Sequence, residues 1–219
     1  MQNNFVSKGA VMSGGNNSIS SARGYLELHA KVLEKLPFLA IERVSRELLR
    51  AYEEGRRIFL FGNGGSASLA SHFACDLGKG TVIHGDHGKR FQAIALTDNL
   101  ALLTAWANDS SYDDVFAEQL RNLIQPGDVA FAISGSGNSP NVLLALQVAR
   151  EFGALNIGLG GFQGGKMKAL CDICMVVPSD NMQIIEDLHV GIAHALFTIV
   201  RYRISSAVSG VTQSAGAGR

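Results

Sequence analysis

The chain has 219 residues, and its 19 Lys and Arg are balanced by 19 Asp and Glu, so its formal charge at pH 7 is +0. That balance supplies no basic field for holding DNA or RNA, so an acidic ligand has to be gripped locally. A hydrophobic share of 47% against 17% charged residues describes one well-filled core, and no run of about 18 uninterrupted apolar residues is present to span a bilayer.

Residues 1–21 are rich in Asn, Ser and Gly and read as a flexible tail. Apolar residues then recur at Tyr25, Leu28, Val32 and Leu36, and after Pro37 at Ile41, Val44, Leu48 and Tyr52. This spacing predicts two amphipathic helices ahead of the first strand. Beyond them the pattern alternates. Strands are expected at 58–61, 92–96, 129–133, 156–159 and 173–177, and helices at 66–77, 113–123, 139–152 and from 182 to about 205. Short apolar strands separated by helices indicate a parallel sheet covered on both faces, a three-layer α/β/α sandwich of five strands in a single domain over 22–205. Residues 206–219, rich in Ser, Gly and Ala, read as a second flexible tail. The segment 78–90 reads as a solvated loop, with His84 and His87 as loop residues rather than metal ligands and Lys79 as a candidate phosphate contact.

Cys75, Cys171 and Cys174 are too few for a disulfide framework, and the N-terminus lacks the order of a signal peptide. A cytoplasmic protein is expected. Cys171 and Cys174 form a C-x-x-C, but with no second pair and an apolar run following they read as packing residues.

Two glycine-serine turns interrupt this pattern: Phe61-Gly62-Asn63-Gly64-Gly65-Ser66 and Ser134-Gly135-Ser136-Gly137-Asn138-Ser139. Each lies between an expected strand and an expected helix. Glycine lets backbone N–H groups close on an anion, the helix N-terminus adds partial positive charge, and serine hydroxyls supply donors. Neither turn carries the P-loop lysine or the G-x-G-x-x-G spacing of a dinucleotide site. The expected guest is therefore the phosphate of a small metabolite, at the carboxyl ends of the strands.

His72 and Asp76 follow the first turn at i, i+4, which places an imidazole and a carboxylate on one helix face. Such a pair can share a metal ion, transfer protons or form a surface ion pair. The last helix sets Glu186, Asp187, His189 and His194 among Ile185, Leu188, Ile192, Ala193 and Leu196. Charged groups so embedded are exposed, paired or metal-bound.

Taken together, Gly62-Asn63-Gly64-Gly65-Ser66 with His72, Leu96-Thr97-Asp98-Asn99 followed by Ala107-Asn108-Asp109, Ile133 to Ser139, and Glu186-Asp187-Leu188-His189 with His194 resemble the sugar isomerase (SIS) domain proteins. Within them the resemblance is to bacterial phosphoheptose isomerases, which interconvert sedoheptulose 7-phosphate and glycero-manno-heptose 7-phosphate. It runs from about Tyr25 to Arg201. The resemblance implies a flavodoxin-like or Rossmann-like fold and an aldose–ketose isomerase working through an enediol. It implies substrate contacts from Asn63, Gly64, Gly65, Ser66, Asn108, Asp109 and Glu186, with Ser134, Gly135, Ser136 and Ser139 at the phosphate. It also implies a divalent metal, zinc, on His72, Asp76, Glu186 and His194, with Asp76 as base and His194 as acid, and a homotetramer with interfacial sites. Asp76 stands where the family has Glu, and Glu186 where it has Gln. Those departures leave open an isomerase or epimerase of another sugar phosphate. A non-catalytic SIS protein that binds a replication or transcription partner is a further alternative, opposed by the presence of His72 and His194.

One difficulty is geometric. Glu186 and His194 are eight residues apart, about 12 Å along a straight helix, too far for one ion. The helix bends, a neighbouring subunit completes the site, or His189 replaces His194, since Glu186-x-x-His189 has the i, i+3 spacing of helical metal sites.

Overall fold

A computed structural model describes residues 19–82 and 88–216. Two helices, α1 (Ala22–Leu33) and α2 (Phe38–Glu54), precede the first strand. Ser21 caps α1 by accepting from the Gly24 N–H at 3.1 Å, and α2 ends at Gly55 in the left-handed conformation. There follow β1 (Arg57–Gly62), α3 (Gly65–Cys75), a π-helical turn (Asp76–Gly80), β2 (Gln92–Ala95), α4 (Leu100–Asp109), a 3₁₀ turn (Tyr112–Asp114) and α5 (Ala117–Leu123). The chain continues through β3 (Val129–Ser134), α6 (Pro140–Glu151), β4 (Leu155–Gly160), α7 (Met167–Leu170), β5 (Ile173–Val176) and α8 (Met182–Gly216).

All strand pairs are parallel, in the order β2-β1-β3-β4-β5. Alternate side chains enter opposite layers. Ile58 and Leu60 of β1, with Val129, Phe131 and Ile133 of β3, pack towards α2, α3 and α8. Phe59 and Phe61, with Ala130 and Ala132, pack towards α5 and α6. This is the expected three-layer sandwich, in the flavodoxin-like strand order, which reverses direction between β1 and β3.

The last helix departs from expectation. It continues past the anticipated end near Ser205 to Gly216, so residues 206–216 are helical and not tail. Its apolar composition is enough to cross a membrane by length. Instead Ile184, Ile185, Leu188, Ile192, Leu196, Val200 and Ile204 are buried in the layer shared with α2 and α3. Helices α4 and α7 were not anticipated. His84 and His87, with most of the remaining tail positions, lie outside the described residues.

Candidate functional site

Strand order reverses between β1 and β3, and the two glycine-serine turns leave the carboxyl ends of those same two strands. This is the crevice where open α/β sheets bind ligands. In the second turn Ser134 Oγ accepts from the Gly137 N–H at 3.1 Å and lies 3.5 Å from Ser139 Oγ. Ser136 Oγ accepts from the Asn138 N–H at 3.2 Å. Gly137 has φ +64, and a Cβ there would lie 2.2 Å from the Gly164 carbonyl oxygen. Only glycine fits. The turn is thus pressed beneath the β4–α7 loop, which also binds it through the Lys166 N–H to Asn138 Oδ1 at 3.0 Å. Ser139 is the N-cap of α6 but its hydroxyl does not cap that helix; it remains available to a ligand at the helix start, where anions are favoured.

The first turn is held from the side. Asn63 Nδ2 donates to Asn141 Oδ1 and Asn141 Nδ2 donates to Asn63 Oδ1, both at 2.9 Å. Tyr112 Oη also donates to Asn63 Oδ1, at 3.0 Å. Sequence reasoning named neither Asn141 nor Tyr112. The signal for Asn141 was a carboxamide in the first turn of a helix opening on a serine turn. Asn108 and Asp109 end α4, exposed, and bond to each other at 2.7 Å; it is Tyr112, just beyond them, that reaches the turn.

Helix α3 carries the site away from the first turn, alongside α8 and in the same direction. A Cβ on Gly65 would lie 3.2 Å from the Glu186 carboxylate, and one on Gly80 would lie 2.7 Å from the Phe197 ring. Between those contacts His72 Nε2 meets His194 Nε2 at 2.9 Å. Asp76 Oδ2 lies 3.5 Å from His72 Nε2 and 3.9 Å from His194 Nε2. These three donors form one cluster, with both imidazoles about half exposed and Asp76 more enclosed.

Donors on a tetrahedral zinc at the usual 2.0–2.1 Å are about 3.4 Å apart. Separations of 2.9, 3.5 and 3.9 Å bracket that edge, so the three side chains fit a divalent ion. The π-helical turn starts at Asp76, a departure from α geometry of the kind found at functional sites.

Of the four expected metal ligands, the structure brings His72, Asp76 and His194 together and leaves Glu186 apart. Glu186 lines a cavity of about 230 Å³ with Gly65, Ser66 and Leu69, at the first-turn end of α3. The eight-residue separation on α8 is the reason, because the helix places Glu186 and His194 against opposite ends of α3. His189 does not substitute. It is 1% exposed and its ring Nε2 lies 3.0 Å from the Gly160 carbonyl. Burial pushes its pKa down to about 4, the carbonyl bond opposing only in part, so the ring is neutral and its N–H donates to that oxygen. Beside Glu186, Asp187 accepts from Tyr25 Oη at 2.6 Å, tying α1 to α8; that bond, more than burial, raises the phenol to about 12. Cys171 and Cys174 are free and pack against the α6 layer.

Residues 24–161 match the SIS domain family. The chain is 41% identical to the phosphoheptose isomerase of Aliarcobacter butzleri over 179 residues, 82% of this chain and 93% of that one. Among solved structures it is similar to the phosphoheptose isomerase of Francisella tularensis, with a TM-score of 0.75 and 30% identity, covering 82% of this chain and 96% of that chain. The phosphoheptose isomerase of Neisseria gonorrhoeae matches with a TM-score of 0.74 and 30% identity, covering 81% of this chain and 95% of that chain. With the sheet order, both turns and the His72–Asp76–His194 cluster in place, this chain belongs to the phosphoheptose isomerase family of SIS domain proteins.

Proposed function

We propose that this protein interconverts sedoheptulose 7-phosphate and D-glycero-D-manno-heptose 7-phosphate. The observation that carries the reading is the convergence of His72, Asp76 and His194 on one point along the helix that leaves the first glycine-serine turn. The seven residues from Gly65 to His72 rise about 10 Å along α3, which suits a long sugar phosphate better than a triose.

Ser134, Ser136 and Ser139 hold the phosphate, helped by the start of α6, while Asn63, Gly64, Gly65, Ser66 and Glu186 face the sugar, with Asn108 and Asp109 on its hydroxyls. Asp76 Oδ2 faces the two imidazoles, so Oδ1 is the oxygen free to take the proton from C1 of the ketose. The C2 carbonyl oxygen receives a proton from His194 Nδ1, the ring nitrogen not engaged with His72 and Asp76, giving the enediol. Return of the carbon-bound proton from Asp76 to C2, with the O1 proton passing back to His194, yields the aldehyde and restores both groups. A divalent ion, zinc in this proposal, held by His72, Asp76 and His194 would polarise the carbonyl.

We further propose a homotetramer working in the cytoplasm. Helix α4 buries none of its residues although it is largely apolar, with Leu100 70% exposed, and Leu39 on α2 is 85% exposed. Apolar faces of this kind are covered by association.

Turnover of sedoheptulose 7-phosphate measured beside pentose and hexose phosphates, with metal content of the purified protein by mass spectrometry, tests the proposal. Selective turnover of the heptulose supports it; turnover of only a shorter sugar phosphate overturns it.

A further inference from the structure

We infer that Asn141 is a positioning residue that fixes the Asn63 carboxamide in one orientation and thereby couples the sugar-facing turn to the phosphate-facing turn. The inference rests on the proposed function only for which ligand each turn meets.

A reciprocal pair of carboxamides is by itself ambiguous, because flipping both side chains preserves both hydrogen bonds. Here the ambiguity is broken by the backbone. The Val142 N–H donates to Asn141 Oδ1 at 2.9 Å, and a backbone N–H cannot donate to an NH₂ group. Asn141 Oδ1 is therefore fixed, so Asn63 has to present Nδ2 to it and Oδ1 to Asn141 Nδ2. Tyr112 Oη then donates to that same Asn63 oxygen at 3.0 Å. With its oxygen taking two donors and one amide hydrogen committed, Asn63 keeps its second amide hydrogen for a ligand. The first turn of α6 thus dictates which atom of the first glycine turn faces the crevice.

Burial makes the arrangement firm. Asn141 is 1% exposed, and a buried amide left unpaired is costly, so flipping is resisted. The two turns belong to adjacent parallel strands, with Gly62 opposite Ile133. The Asn63–Asn141 pair is a side-chain link between them just beyond the end of the ladder. A ligand whose phosphate pulls on the second turn meets an Asn63 already aimed.

The test uses Asn141→Asp, Asn141→Ala and Tyr112→Phe. Asn141→Asp keeps the acceptor for the Val142 N–H and places negative charge in the first turn of α6, where it favours folding. It replaces the donor to Asn63 Oδ1 with an oxygen, so the pair cannot reform. In the ligand-free protein, the Asn63 side-chain amide is followed by ¹⁵N–¹H NMR, identified by its loss in Asn63→Asp. Its hydrogen-exchange protection is expected to fall about tenfold in Asn141→Asp and Asn141→Ala. In turnover of sedoheptulose 7-phosphate by Asn141→Ala, which adds no charge at the start of α6, kcat is expected to fall about 10²-fold while the affinity for inorganic phosphate stays within about twofold. Tyr112→Phe is expected to lower kcat less, and to add nothing in combination with Asn141→Ala.

An Asn63 amide unchanged in both Asn141 variants overturns the inference. So does a loss of phosphate affinity in step with kcat in Asn141→Ala, which would make Asn141 a support of the α6 start and nothing more. If the unsubstituted protein does not turn over the heptulose phosphate, the proposed function fails, and the NMR measurement alone still decides the role of Asn141.

Discussion

Replacing His189 by Gln isolates one pH-dependent component of stability. His189 is 1% exposed and its pKa is pushed down to about 4 from an ordinary 6.5, chiefly by burial. A base whose folded pKa is depressed binds its proton more readily when unfolded. Its contribution is intact above 6.5 and is lost as pH falls from there towards 4. From those two values the loss at pH 5 is about 2 kcal/mol, a sizeable share of the stability of a domain. Gln keeps an N–H donor for the Gly160 carbonyl and does not titrate. Urea unfolding of both proteins at pH 8 and pH 5 gives the assay, and subtracting the variant's loss from that of the unsubstituted protein cancels the carboxylates common to both. The expected difference is about 2 kcal/mol, with the histidine protein losing more. Equal losses, or a larger loss in the Gln variant, refute a neutral buried His189.

Asp76→Asn is expected to lower kcat about 10²–10⁴-fold, the usual worth of a positioned acid or base, with circular dichroism showing the fold retained. His72→Ala and His194→Ala are each expected to reduce bound metal by mass spectrometry, and treatment with a chelator to inactivate the unsubstituted protein with recovery on adding zinc; substitution of Glu186 by Gln is expected to leave the metal content unchanged, because Glu186 lies against Gly65 and not in the cluster. Asp128 is 3% exposed, accepts from the Arg57 and Gln125 N–H groups at 2.9 Å each, and pairs with Arg57 Nη2 at 3.0 Å. Asp128→Ala strands those donors and is expected to cost about 3 kcal/mol by denaturant unfolding. Gly137→Ala is expected to destabilise by at least about 1–3 kcal/mol, since it combines positive φ with a backbone clash, and to weaken phosphate binding.

The strand–turn–helix order and both glycine-serine turns were legible because they are local. A β run such as Ile58-Phe59-Leu60 and a glycine-serine turn state their conformation within a few residues. Helix α4 was missed for a related reason: Leu100 to Trp106 is apolar but for Thr104 and buries no residue in this chain, so it offers no periodic stripe to read. The end of α8 was missed because Ser and Gly beyond 205 are weak helix formers, and propensity is only a prior that context overrides.

The candidate site shows the boundary more sharply. His72 and Asp76 were readable as a pair, since i, i+4 fixes their proximity on any helix. Which α8 residue joins them was not readable, because Glu186, His189 and His194 satisfy different one-dimensional rules. The contest is decided by the relation of two helices. Since α3 and α8 run in the same direction, a residue early on α8 meets the beginning of α3 and a later one meets its end. Glu186 therefore belongs with Gly65, His194 with His72, and His189, on the inward face between them, is committed to the Gly160 carbonyl. The eight-residue gap that makes a single ion implausible for Glu186 and His194 would, in the proposed function, let α8 serve both ends of a long ligand.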